Sequence, residues 1–192
     1  MRRFCSLVLS GLGAVLPAAS SASANDYCED LWFTRNAIMD RAGYCFGSNL
    51  GKAVFDNSDC IGKTVEISPT DQRVVAHIQN AERDADCRID TSNRQLSLRD
   101  LDRRKNLWDL PVRSEDALAC MGWRSEQLPL RAGHSNSAPV TGKVNHGDIV
   151  GMNFVGDQGW EYLQVLTRDW EVVTAGWAKV EFSPDVCDGI IP

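Results

Sequence analysis

The chain is poor in the residues and spacings that carry catalysis. Its histidines number three, His77, His134 and His146, and none falls in an H-E-x-x-H pair or beside a free thiol. No G-x-S-x-G elbow and no phosphate-cradling glycine loop occurs, which removes the usual marks of an α/β-hydrolase or a nucleotide-binding enzyme. No C-x-x-C or C-x-x-H pair exists, so the clustered ligands of a structural zinc site are missing. Asp56, Ser58 and Asp59 lack the glycine and the terminal glutamate of a calcium loop, and a hydrogen-bonded turn is expected there. A dense basic stripe is also absent. The one concentrated stretch, Arg99 to Lys105 (RDLDRRK), is broken by two aspartates and reads as a solvated helix face or linker. With 20 Lys and Arg against 26 Asp and Glu, a net charge of −6, the chain is a poor nucleic-acid binder, because phosphate contacts need clustered cations.

The longest apolar run is Phe4 to Ala19, about 16 residues interrupted by Ser6, Gly11, Gly13 and Pro17, short of the roughly 20 that a spanning helix needs. Arg2 and Arg3 precede it, and Ala22-Ser23-Ala24 supplies the small-x-small pattern of a signal-peptidase site, so residues 1–24 are expected to be a cleaved signal peptide. Cleavage near Ala24 removes two arginines and no acid, taking the charge from −6 to −8. It also removes Cys5 and leaves six cysteines, an even set in an oxidising periplasmic or extracellular compartment, where thiols pair. No membrane span is expected after cleavage.

Two helices are legible in the residues that follow. Asn25 or Asp26 can cap the first, Glu29 and Asp30 place negative charge in its first turn, and Tyr27, Leu31, Ile38 and Ala42 keep helical spacing, widened by Trp32 and Met39. Gly43 tolerates a left-handed C-terminal cap, over which Tyr44 and Phe46 can fold back. A polar loop, 47–67, is pinned by Leu50, Val54 and Phe55. The second helix is announced by Ser68 as cap, Pro69 at the first helical position and Asp71 completing a capping box, with Val74, Val75, Ile78 and Ala81 on one face and an end near Asp84. Antiparallel packing of the two brings Cys87 to Cys28 and leaves Cys45 facing Cys60. Residues 91–115 read as a connector with a short helix, anchored by Trp108 and stopped by Pro111.

Two resemblances add to this. Arg35-Asn36-x-Ile38-x-x-Arg41-x-Gly43-Tyr44-x-Phe46 resembles the signature of the YARHG domain, a small exported bacterial module; Met39, Asp40 and Ala42 stand where the name-giving tyrosine, alanine and histidine would be. From Asp116 the period changes to two and glycines multiply. Leu128-x-Leu130-Arg131-x-Gly133, Val140-x-Gly142-x-Val144-x-x-Gly147-Asp148-x-Val150, Gly159-Trp160-x-x-x-x-Val165 and Gly176-Trp177-Ala178 are similar to the bacterial SH3-like module of cell-envelope proteins. The expected fold is therefore α+β: a disulfide-linked helical module over 25–90 and a small SH3-like β-barrel over 116–188, its ends tied by Cys120 and Cys187. The long hairpin from Leu166 to Thr174, carrying Trp170, departs from that family.

Binding is the function these features imply, with no catalytic residue, metal or cofactor. The ligand candidates are Trp170, Trp160, Trp177, Tyr162 and Arg131. Trp170, between Asp169 and Glu171, is expected to be exposed; Trp160 and Trp177 follow glycines at strand starts, where the SH3-like family uses tryptophan mostly as core. Arg35 and Arg41 are expected to pair with Asp40 or Asp71, or else to hold an anion, and His134 and His146 to face solvent in turns. The resemblance implies an exported, non-enzymatic protein that recognises peptidoglycan peptide or an envelope protein. Its alternative is a structural or inhibitory partner of another periplasmic protein. A cell-wall hydrolase would require a deep cleft holding a carboxylate of raised pKa.

Overall fold

The computed structural model describes residues 21–181 and 184–192; most of the expected signal peptide lies outside them. Four helices precede an antiparallel sheet. Helix α1 spans Ser21–Arg41, α2 Asn49–Val54, α3 Pro69–Asp84 and α4 Leu101–Lys105. Helix α1 begins upstream of the expected caps, so Asn25 and Asp26 lie inside it: the small residues before them are helix-compatible and nothing forces a start there. Its other end follows expectation. Gly43 has φ +86°, and the Tyr44 amide donates to Met39 O and the Gly43 amide to Asp40 O, the paired bonds of a Schellman cap. A Cβ on Gly43 would sit 2.8 Å from Ile61 Cγ1.

Helix α3 starts as its sequence dictates, with Ser68 Oγ accepting from the Asp71 amide and donating to Asp71 Oδ2. The loop between α1 and α3 contains the short helix α2, capped by Ser48, where an unbroken loop was expected; Leu50 and Val54 bury themselves from one face of it. Around them stack Phe46 and Phe55, with ring centroids 4.7 Å apart, and Phe33 at 5.8 Å from Phe55. Leu96, Leu98, Leu101 and Leu110 pack against this core, so the connector completes the helical module. Its anchor is Leu107, at 4% exposure, and the expected anchor, Trp108, is 55% exposed. The backbone explains the exchange. Trp108 N–H donates to Ala132 O, which fixes the main chain against the sheet while turning the indole outward.

The three disulfides close as Cys28–Cys87, Cys45–Cys60 and Cys120–Cys187, with Cα–Cα distances of 5.3, 5.0 and 5.4 Å. The first two are nested, as antiparallel packing of α1 and α3 requires.

Seven strands follow: β1 Arg113–Trp123, β2 Leu128–Arg131, β3 Val140–Val144, β4 Ile149–Phe154, β5 Trp160–Leu166, β6 Val172–Lys179 and β7 Cys187–Ile191. They form one sheet in the order β3-β2-β6-β5-β4-β1-β7. The expected closed barrel is corrected to an open sheet with β3 and β7 at its edges. The C-terminal strand β7, which the sequence did not announce, adds itself to β1 through pairs such as Ala119 with Ile191 and Trp123 with Cys187, and forms one edge of the sheet. The sheet curls around Trp123, Leu130, Val144, Val150, Leu163, Val165 and the Cys120–Cys187 bridge. Its other face is also covered. Phe154, Trp160, Tyr162, Ala175 and Trp177 gather there around Leu107 of the connector.

A polar cleft between the helices and the sheet

One guanidinium joins the two halves of the molecule. Arg104, on α4, is fully buried, and it donates to Asp30 of α1 and, at 2.8 Å, to Thr34 Oγ1. Asp100 stands one turn before it on the connector, 3.9 Å from the same guanidinium. From the sheet, Gln164 Nε2 and Tyr162 Oη donate to Asp100 Oδ2 at 2.7 and 3.2 Å. Thr34 passes the network on to Pro111 O at 2.9 Å. The guanidinium lies 5.0 and 5.4 Å from the ring centroids of Phe33 and Phe154, one from each half.

The electrostatics follow from one cation shared by two acids. Burial alone would lower the Arg104 pKa, but Asp30 and Asp100 outweigh it and hold the guanidinium charged. Asp30 has that shared guanidinium and the weaker pull of Arg113 to offset its desolvation, and a second negative charge on Asp100 beside it. Burial, opposed by Arg104 and reinforced by Asp100, pushes its carboxyl above the ordinary range. Tyr162 is raised well above its ordinary range by burial and then by Asp100.

A cleft of about 190 Å³ opens beside this network, lined among others by Asp26, Arg113, Leu98, Leu166, Trp170 and Val172. Trp170 stands on its rim, 41% exposed, with φ +64°. That left-handed backbone costs a non-glycine residue about 1 kcal/mol or more. It is held by Trp170 N–H donating to Thr167 O, by Glu171 N–H donating to Thr167 Oγ1, and by Arg99 donating to Trp170 O.

Of the five ligand candidates, the structure places only Trp170 at this cleft. Trp160, Tyr162 and Trp177 are buried at 8%, 1% and 2% exposure. The connector covers the sheet face on which they lie, and the Trp177 indole donates to Asp109 O at 2.8 Å. Arg131, half-buried, donates to Ala138 O across its own hairpin. Arg35 pairs with Glu82 on α3 at 3.0 Å, and Arg41 caps the connector carbonyls of Leu107 and Trp108, so neither takes the expected Asp40 or Asp71. His146 is exposed, but His134 packs edge-on to Trp177 with ring centroids 3.9 Å apart and faces Asp157 at 3.2 Å.

Sequence reasoning missed Arg104, Asp100, Asp30 and Arg113. A partial signal for Arg104 exists: it lies three residues after Leu101, on the same side of α4 as that partly buried leucine. Among the described residues no group of three or more His, Cys, Asp or Glu is arranged to hold a metal ion, and no helix is long and apolar enough to cross a membrane.

These features define an oxidised α+β protein in which a helical module is locked onto an open antiparallel sheet by a buried ionic network. The family model described as "Domain of unknown function (DUF4453)" matches residues 86–192, more than half of the chain, and the chain belongs to that family. The YARHG domain matches residues 9–83, in agreement with the signature read around Arg35 to Phe46. No curated protein and no solved structure matches.

Proposed function

We propose that this is an exported, non-enzymatic binding protein of the bacterial cell envelope that engages peptidoglycan peptide or an envelope protein at the cleft between its two halves. The observation that carries the reading is Trp170, an exposed indole held in a left-handed backbone on the rim of that cleft. An aromatic side chain kept out of the core at a conformational cost is the kind of feature that marks an interaction surface. Three closed disulfides suit an oxidising compartment. The size of the cleft sets the mode of binding. About 190 Å³ is below the roughly 300 Å³ at which small-molecule pockets begin. It takes one anchoring residue of a larger partner.

The sheet is proposed to be an SH3-like module over 116–188, its first strand β1 extended at the sheet edge by the added strand β7. In support, the strands carrying the quoted motifs, β2 to β6, lie together in the order β3-β2-β6-β5-β4. Asp30 favours one other reading, because a carboxyl pushed up by burial beside a cleft is what an acid catalyst needs. Against it, Asp30 is tied to Arg104, and Asp100 is occupied by Tyr162 and Gln164.

Co-sedimentation of the oxidised chain with insoluble peptidoglycan tests the proposal. Sedimentation that weakens several-fold in Trp170→Ala supports it, and a chain that stays in the supernatant counts against wall peptide. Release of soluble fragments that ceases in Asp30→Asn establishes the hydrolytic reading in its place.

A further inference from the structure

Resting on the binding role just proposed, the geometry points to Arg113 as the anchor for a free carboxylate, the C-terminal carboxylate of a residue with a small apolar side chain. Arg113 opens strand β1 and lines the cleft. Its polar neighbours there are engaged from within: Asp30 by Arg104, Asp100 by Gln164 and Tyr162, and Gln164 Oε1 by Asn153 at 3.4 Å. Arg113 differs. Its Nε is buried with no partner, as is that of Arg104, but where Arg104 donates through its terminal nitrogens the Arg113 guanidinium donates no hydrogen bond among the described residues, resting 5.4 Å from the Phe154 ring centroid.

A guanidinium whose donors no protein group accepts favours an acceptor that can enter beside it. Asp30, Asp100 and Asp26 act on Arg113 through space, but none is hydrogen-bonded to it and the first two are committed to Arg104. The planar fork of a guanidinium matches a carboxylate with two parallel hydrogen bonds. Leu98, Leu166, Val172 and the Trp170 indole line the same cleft and would cover the side chain beside that carboxylate. Asp26 also lines it, and no hydrogen bond to its carboxylate is seen among the described residues. It would favour a ligand that carries an amine as well. The available volume admits one residue. Two sources share this chemistry, a free amino acid and the end of a peptide, and the test separates them.

The test is a titration of the full oxidised chain followed by amide NMR, with four probes: D-alanine, D-alanyl-D-alanine, its N-acetyl derivative and its C-terminal amide. The expected result is saturable binding in the millimolar range, roughly what one anchored residue supplies. Binding of the two free-acid dipeptides assigns the site to a peptide end. Binding of D-alanine alone assigns it to a free amino acid. In either case the amide binds at least tenfold more weakly, and Arg113→Gln loses binding while Arg113→Lys keeps a weakened form, since it retains the charge without the fork. Equal binding of acid and amide, or no saturable shift by any probe at about 50 mM, overturns the assignment. Should Arg113→Gln fail to fold, the comparison of acid with amide on the unaltered chain decides. Sedimentation with peptidoglycan alongside equal acid and amide binding would remove the carboxylate anchor and leave the binding role standing.

Discussion

Replacing Arg104 with methionine isolates the ionic network that joins the two halves. Methionine preserves most of the side-chain volume, so the cavity contribution is small and the change is chiefly electrostatic. Asp30 and Asp100 are then left buried with only the weaker pull of Arg113 to offset them. Breaking a buried pair by removing one partner costs about 3–5 kcal/mol. For a chain of this size each kcal/mol shifts the melting temperature by about 2–4 °C, so Arg104→Met should melt roughly 6–20 °C lower. The loss has a ceiling that depends on pH. A stranded carboxylate can take up a proton instead, and at pH 7 that costs at most about 4 kcal/mol, from an ordinary pKa near 3.8 at 1.36 kcal/mol per unit. The sign follows from linkage. Asp30 already has a folded pKa above its unfolded one, and losing Arg104 removes the chief opposing charge and raises it further, so the variant loses more stability as pH rises through that folded pKa. The gap between the two proteins should therefore widen from pH 5 to pH 7. The neutral triple variant Asp30→Asn, Asp100→Asn, Arg104→Met should recover part of it, because no charge is left stranded. Calorimetric or circular-dichroism melting of the oxidised proteins measures all three. A shift under about 2 °C at pH 7, or one that does not depend on pH, refutes the claim that this network couples helices to sheet.

Replacing Cys120 and Cys187 together with alanine opens a loop of 67 residues and should cost about 4 kcal/mol in the chain-entropy model; the 15-residue loop of Cys45–Cys60 should cost nearer 3. Urea unfolding of each pair variant checks the order, and a larger loss at Cys45–Cys60 contradicts it. The Tyr162 phenol, raised well above its ordinary range, makes the fold lose stability as pH climbs through its folded pKa, because the unfolded chain releases that proton first. Absorbance at 295 nm should show its ionisation only together with alkaline unfolding. Tyr162→Phe should remove that late step and leave the reversible part of the titration unchanged; loss of amplitude from the reversible part contradicts the burial.

What could be read ahead of the structure was local. Ser68, Pro69 and Asp71 define the start of α3 within four residues, and Gly43 ends α1 by a backbone conformation that its neighbours can hardly adopt. The cysteine pairing followed because two helices joined by a compact loop have one simple way to pack. What escaped was decided over distance. Arg104 lies in a charge-dense stretch that looks solvated, and its burial depends on meeting Asp30, 74 residues away. Trp160, Tyr162 and Trp177 alternate as strand residues should, but only the connector's path shows that their face is covered. The strand β7 is short and starts at a cysteine already assigned to a bridge, and its pairing with β1 decides whether the sheet closes. The cleft combines residues from α1, the connector and four strands, and no window of sequence contains it.

The account stands on the junction between the halves being where a ligand meets the protein. Amide chemical-shift mapping with soluble peptidoglycan fragments tests this most directly. The account predicts shifts clustered at Asp26, Ser97 to Asp100, Arg113, Asn153 and Gln164 to Val172, all lining the cleft or its Trp170 hairpin. Shifts confined to α3 or to the β2–β3 hairpin, or none at all, would contradict it.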